Sequence, residues 1–302
     1  MNRSRAAARL AALALIPAVL GGCFDVAVPS ASPTLAPTPE PTAPTTTYAP
    51  GTTVWYEGLR ITVQAVTATL DERGGPVLVV LRLENPGADD AELNARVLLQ
   101  VDVDAAAEPL APTRESKIPT VPAGGTAEAT LTYELQGVAS VDRAVVLIGE
   151  SPLHVARVPL TAAGGEAAAL EPIELGLSGV GTAGDLRIAI RGFVLRWDLP
   201  DWSEELNADL AVLTIGYDVT YLGDFSGGFA FTGDNVALRL PTNVLVVSRH
   251  DGHSQSIALI GPGKTTKSLS SRFELPSGMT GRFSLVVRNG TTSKAIPFVL
   301  GG

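Results

Sequence analysis

One cysteine, two methionines and three histidines in 302 residues leave little material for thiol or imidazole chemistry. With Cys23 alone, no internal disulfide framework is possible. Long apolar runs are also missing. The best candidate, residues 10–20, is about eleven residues, against the ~20 a membrane-spanning helix needs. There is no Gly-x-Ser-x-Gly elbow, no phosphate-cradling glycine loop and no His-Glu-x-x-His. Paired carboxylates alone can hydrolyse glycosides, but no pair is marked out by its spacing. The chain therefore reads as a non-enzyme with no cofactor. Lys and Arg number 22 against 31 Asp and Glu, a formal net charge of −9. Such acidity excludes nucleic acid as a partner and disfavours anionic lipid headgroups.

What is present begins with Arg3, Arg5 and Arg9 ahead of the short apolar run, the pattern of an export signal over residues 1–22. Leu20, Gly21, Gly22 and Cys23 follow. These four residues resemble the lipobox of bacterial lipoproteins. That resemblance implies diacylglyceryl transfer to the Cys23 thiol, cleavage before it, and acylation of the freed amine. Membrane lipid, held through acylated Cys23, is then the first expected partner. Two or three acyl chains anchor stably where one does not. Everything after Cys23 is expected outside the cytoplasm, at the cell surface or the periplasmic face.

Residues 23–50 carry proline every few positions among Thr, Ser and Ala, and almost no charge. A stretch of this kind cannot bury a core; it is expected to be a disordered, semi-rigid stalk of polyproline II character. Past Gly51 the pattern becomes short runs of period two. Leu59, Ile61 and Val63 form one such face, Val77, Val79, Leu81 and Leu83 a second, and Leu131, Tyr133 and Leu135 a third. This is the mark of half-buried strands. Turn signals at Arg73–Pro76, Asn85–Gly87 and Pro122–Gly125 separate them. An internal repeat is visible. Leu59-Arg60-Ile61 returns as Leu186-Arg187-Ile188, Tyr133-Glu134-Leu135 as Phe273-Glu274-Leu275, and Val158-Pro159-Leu160 as Ile296-Pro297-Phe298. The fold class expected is all-β, with two tandem sandwiches over 51–162 and 170–302 and a linker at 163–169.

Each copy resembles the immunoglobulin-like domain of unknown function of bacterial surface lipoproteins, related to the mycobacterial secreted immunogenic sandwich protein. The resemblance rests on Leu81–Gly87 and on the segments Pro122–Leu135 and Pro262–Leu275. It implies an immunoglobulin-like β-sandwich at the cell envelope. It carries no catalytic residues.

Two segments are candidates for a site. The second copy holds an insertion with no counterpart in the first, containing Trp197, Asp198, Asp201, Trp202, Glu204 and Glu205. Paired indole rings suit a sugar face or an apolar partner, and clustered carboxylates suit Ca²⁺. The alternative is that the tryptophans cap their own core. His250 and His253 flank Asp251-Gly252, a two-residue hairpin signal that brings both imidazoles together as a candidate metal pair. The plainer reading is an exposed hairpin tip that tolerates polar residues, since two ligands without a third seldom make a tight site. Asp102 with Asp104, and Asp89 with Asp90, read as solvated positions. The function expected is non-catalytic binding or adhesion at the cell envelope, with an envelope protein or a glycan as partner. A structural spacer of an envelope or secretion complex is one alternative, and a metal-handling or hydrolytic module another.

Overall fold

The computed structural model describes residues 43–102, 108–176, 178–249 and 256–301. The described residues are all-β; their only helical pieces are short 3-10 turns. Residues 43–302 make one compact unit, within which two hydrophobic cores share no residue.

The first core lies between a larger and a smaller sheet. The strands are β1 (Thr45–Tyr48), β2 (Thr52–Tyr56), β3 (Leu59–Thr69), β4 (Gly74–Glu84), β5 (Val97–Gln100), β6 (Thr126–Gln136), β7 (Val145–Ile148) and β8 (Ala156–Pro159). The larger sheet runs β3–β4–β6, with β2 on the first half of β3 and β1 on its second half. The smaller runs β5–β7–β8. Alternation decides which side chains enter. Leu59, Ile61 and Val63 of β3, Val77 to Leu83 at every second position of β4, and Leu131, Tyr133 and Leu135 of β6 are all buried. Each such side chain contributes roughly 1.5–3 kcal/mol over staying exposed.

The second half repeats this plan. Its strands are β9 (Ile173–Leu175), β10 (Gly179–Ala183), β11 (Leu186–Arg196), β12 (Asp198–Leu199), β13 (Glu204–Glu205), β14 (Leu210–Tyr221) and β15 (Phe229–Phe231). They continue as β16 (Val236–Arg239), β17 (Leu245–Val247), β18 (Ala258–Ile260), β19 (Thr265–Pro276), β20 (Gly281–Asn289) and β21 (Thr292–Leu300). The larger sheet is β10–β11–β14–β19 with β9 on the end of β11, and the smaller is β17–β16–β20–β21. Strand for strand, β1 to β8 return as β9, β10, β11, β14, β16, β19, β20 and β21. A bulge falls at the same step in both copies, after Val63 in β3 and after Ile190 in β11. Pro159 and Pro297 both lie on outermost strands, where a missing N–H costs no ladder bond. The second core is richer in aromatics, with Phe193 stacked on Phe298 at 4.3 Å between ring centres.

Leaving aside β1, β9 and the extra edge strand β17, and counting β2 and β10 as the first strands, each half packs strands one, two, three and five of the repeated set against four, six and seven. An immunoglobulin constant domain sets one, two, five and four against three, six and seven. The four-against-three layering is shared; the third and fourth strands exchange sheets.

Two boundaries differ from the expectation. Of the stalk expected to reach residue 50, residues 23–42 lie outside the described residues, and Thr45–Tyr48 is strand β1. Its threonines supply β propensity, and the Thr45 and Thr69 hydroxyls lie 3.0 Å apart across the ladder. The linker expected at 163–169 is bound to the first sandwich. Ala168 exchanges backbone bonds with Arg157, Trp55 N–H donates to Ala169 C=O at 2.7 Å, and Leu170 packs on the first core.

Candidate functional site at the junction of the two sandwiches

The insertion after β11 folds as a small hairpin of its own. Strands β12 and β13 pair, Pro200–Trp202 makes one 3-10 turn between them, and Leu206 N–H closes the base on Trp197 C=O. Leu199, Leu206 and Val212 form a third, minor core beneath it.

This hairpin docks on the β2–β3 turn of the first sandwich. Glu57 and Gly58 both have positive φ there, 50° and 83°, so the turn aims their N–H groups away from the ladder. Gly58 N–H donates to Asp198 Oδ2 at 2.7 Å and Glu57 N–H to Glu205 Oε2 at 3.3 Å. Arg196 grips Asp198 through two nitrogens, at 2.7 and 3.0 Å, and lies over the Trp55 ring at 5.6 Å. Glu57 in turn accepts from Asn94 N–H at 2.7 Å. A Cβ on Gly58 would stand 2.9 Å from Pro200 Cβ, so glycine permits the close approach.

His154 supplies a second tie. Its backbone N–H donates to Leu206 C=O, and its Nε2 lies 2.7 Å from Leu210 C=O. A carbonyl only accepts, so the proton sits on Nε2. Its own carbonyl receives the Tyr56 hydroxyl, and its ring meets Trp197 edge-on at 6.5 Å.

The electrostatics follow from burial. Glu57, Asp198 and Glu205 are all buried near one another, with Arg196 as their cation. Desolvation first, and then the Asp198 charge, push Glu205 up to about 9. Burial also raises Glu57. Among the described residues Glu205 Oε1 has no hydrogen-bond partner, which suits a carboxyl that stays neutral.

The six residues expected to form one contact loop therefore separate. Asp198 and Glu205, each 4% exposed, are spent between the sandwiches and cannot meet an outside ligand. Asp201 pairs with Arg272, Glu204 is exposed, and Trp202 is 48% exposed. Trp197 is half-buried, with one edge toward His154, and it also lines a pocket of about 380 Å³. Ile173, Leu175, Leu195, Leu275 and Met279 line that pocket with it, and among the described residues no ionisable side chain does. A separate polar cleft of about 250 Å³ is bordered by Glu57, Asp89, Asp90, Arg196 and Asp201. Among the described residues, no group of three or more His, Asp or Glu side chains suits a metal ion. His250, His253, Leu20, Gly21, Gly22 and Cys23 lie outside the described residues. No described helix is long and apolar enough to cross a membrane.

The sequence reading missed His154, Leu175 and Met279. Only the repeat register, which aligns β9 with β1, could have marked Leu175 in advance.

No protein-family model matches the chain, and no curated protein matches it. Among solved structures it is similar to "the conserved domain protein from Bacillus anthracis", at 11% identity and a TM-score of 0.23. The match covers 83% of this chain and 88% of that one. A likeness this loose bears no argument about fold or function.

Proposed function

We propose that this chain is a lipoprotein held outside the cytoplasm by acylated Cys23, with a non-catalytic binding role at the cell envelope. Leu20-Gly21-Gly22-Cys23 supports the anchor. The observation that carries the binding role is the Trp197-lined pocket. It is recessed and apolar, and within the ~300–1,000 Å³ of ordinary ligand sites. The docked hairpin supports it by holding Trp197 between His154 and the pocket.

The test is crosslinking and affinity capture from intact cells with the full chain as bait. A partner captured by the wild type and lost with Trp197→Ala supports the reading; a set of partners unchanged by that substitution removes it. Cys23→Ala is expected to move the protein out of the membrane fraction, and retention there removes the anchor.

A second reading is favoured by the Asp198 and Glu205 contacts with the Glu57–Gly58 turn. They stiffen the tandem, as a spacer within an envelope complex requires. Capture of structural envelope proteins that is indifferent to Trp197 is its signature.

A further inference from the structure

The repeat provides an internal control for the Trp197 pocket. The first sandwich has a cavity at the corresponding end, about 110 Å³, bordered by Thr46, Tyr48, Ala68, Leu70, Ser140 and Asp142. Strand register equates the two sets. Tyr48 pairs with Val66 and Thr46 with Ala68, as Leu175 pairs with Phe193 and Ile173 with Leu195. Ala68 thus corresponds to Leu195, and Leu70 to Trp197. On the facing sheet, Val145 pairs with Pro159 as Ser284 pairs with Pro297. Counting back from there, Ser140 corresponds to Met279 and Asp142 to Gly281.

The chemistry of the two cavity edges is opposite. In the first copy the Tyr48 hydroxyl donates to Asp142 at 2.7 Å, and the Ser140 hydroxyl donates to the same carboxylate at 2.8 Å. This polar latch spans the cavity edge. In the second copy all three members are gone, replaced by Leu175, Met279 and Gly281. The cavity there is more than three times larger, at about 380 Å³. Three polar groups were exchanged for apolar or absent ones at one place, while the surrounding strands kept their pairing. Core packing alone explains this poorly, because larger apolar side chains should fill the space and here the space beside them is the larger of the two.

We infer that the second sandwich has a ligand site where the first has only a small, polar-edged cavity, and that its ligand is a small uncharged apolar molecule. The class follows from the lining. Leu175, Leu195, Leu275 and Met279 offer dispersion contacts, and Trp197 offers ring surface. With no ionisable side chain in the wall among the described residues, a charged ligand would leave water without compensation. Met279 adds an unbranched side chain that adapts to the shape beside it. This inference rests on the binding reading above and names its ligand class.

The test titrates the full chain with phenylnaphthylamine, an uncharged apolar fluorophore, and with the anionic anilinonaphthalene sulfonate. Saturable binding of the neutral probe at one site per chain is expected, with the anionic probe at least about tenfold weaker. The double variant Leu175→Tyr/Met279→Ser restores residues of the first copy, and should weaken the neutral probe by about tenfold. If it proves unstable, Thr280→Asp at the exposed rim provides the same comparison. No saturable binding of the neutral probe, equal affinity for both probes, or binding unaffected by the folded variant overturns the inference. Cell capture separates the two claims. A Trp197-dependent partner without probe binding keeps the binding role and discards the ligand class; probe binding without any captured partner keeps the site and discards the partner.

Discussion

Gly58 of the first sandwich donates its backbone N–H to Asp198 of the second at 2.7 Å, and the same carboxylate holds Arg196 by two bonds. One buried side chain thus serves both a neighbouring sandwich and the strand from which its own hairpin springs. It satisfies an N–H that the tight turn leaves outside the sheet.

Asp198→Ala is expected to destabilise the chain by about 3 kcal/mol, because it strands the mostly buried Arg196 guanidinium and frees the Gly58 N–H. Chemical denaturation checks this. Wild type should unfold in one transition, and the variant should show the two sandwiches unfolding apart. A single transition with an unchanged midpoint would show that Asp198 does not couple them.

Gly58→Ala and Gly51→Ala form a matched pair. Both glycines have positive φ, 83° and 61°, so both substitutions cost about 1 kcal/mol of backbone strain. Only the Gly58 Cβ meets another atom, Pro200, at 2.9 Å; nothing lies within 4 Å at Gly51. Gly58→Ala should therefore lose clearly more stability, by an additional ~1–2 kcal/mol. Equal losses would mean that the hairpin yields at no cost.

Much of this fold is legible in the sequence, and the junction is not. The alternation of Leu59, Ile61 and Val63 and of Leu131, Tyr133 and Leu135 reports burial directly, because a strand turns every second side chain inward. The repeat also exposes the insertion as extra chain. Yet Glu204 and Glu205 are identical neighbours in sequence, and the pairing of β13 puts one in solvent and the other inside. Asp198 and Asp201 differ just as sharply, one gripping Arg196 and the other Arg272 on a distant strand. Which acid is buried depends on the Glu57–Gly58 turn, far away along the chain. Local pattern contains no trace of it. Thr45–Tyr48 was hidden differently, since its proline-rich surroundings mask four residues of good strand propensity.

The burial of Glu205 predicts a pH dependence with a definite sign. Its folded value, about 9, lies above the ordinary 4.5, so the folded state holds a proton that the unfolded chain releases. The stabilisation is complete below about 4.5 and is lost as pH rises toward 9. Glu57, raised by burial, acts in the same direction. Unfolding free energy should fall across this window with a slope no steeper than ~1.4 kcal/mol per pH unit for one group. Glu205→Gln keeps the carbonyl that accepts from Glu57 N–H and removes the titration, so its slope should be shallower. Parallel curves for variant and wild type would show that Glu205 ionises normally.

Trp197 and Trp202 look interchangeable in the sequence, and the structure separates them. Trp197 is half-buried, with its edge toward His154 and its surface on the pocket. Full truncation of a core tryptophan costs about 3–5 kcal/mol, so Trp197→Ala should cost about 2. Trp202 is 48% exposed on a 3-10 turn, and Trp202→Ala should stay near 0.5 kcal/mol. Denaturation midpoints of the two variants measure the difference. The reason the ratio matters is that the Trp197 ring serves two neighbours at once. Trp197→Phe retains an aromatic edge for His154 while giving up part of the pocket wall, so it should recover most of the stability but less of any apolar ligand affinity. If Trp197→Phe restored neither, the indole itself would be needed to hold the hairpin, and the pocket would be a by-product of that packing.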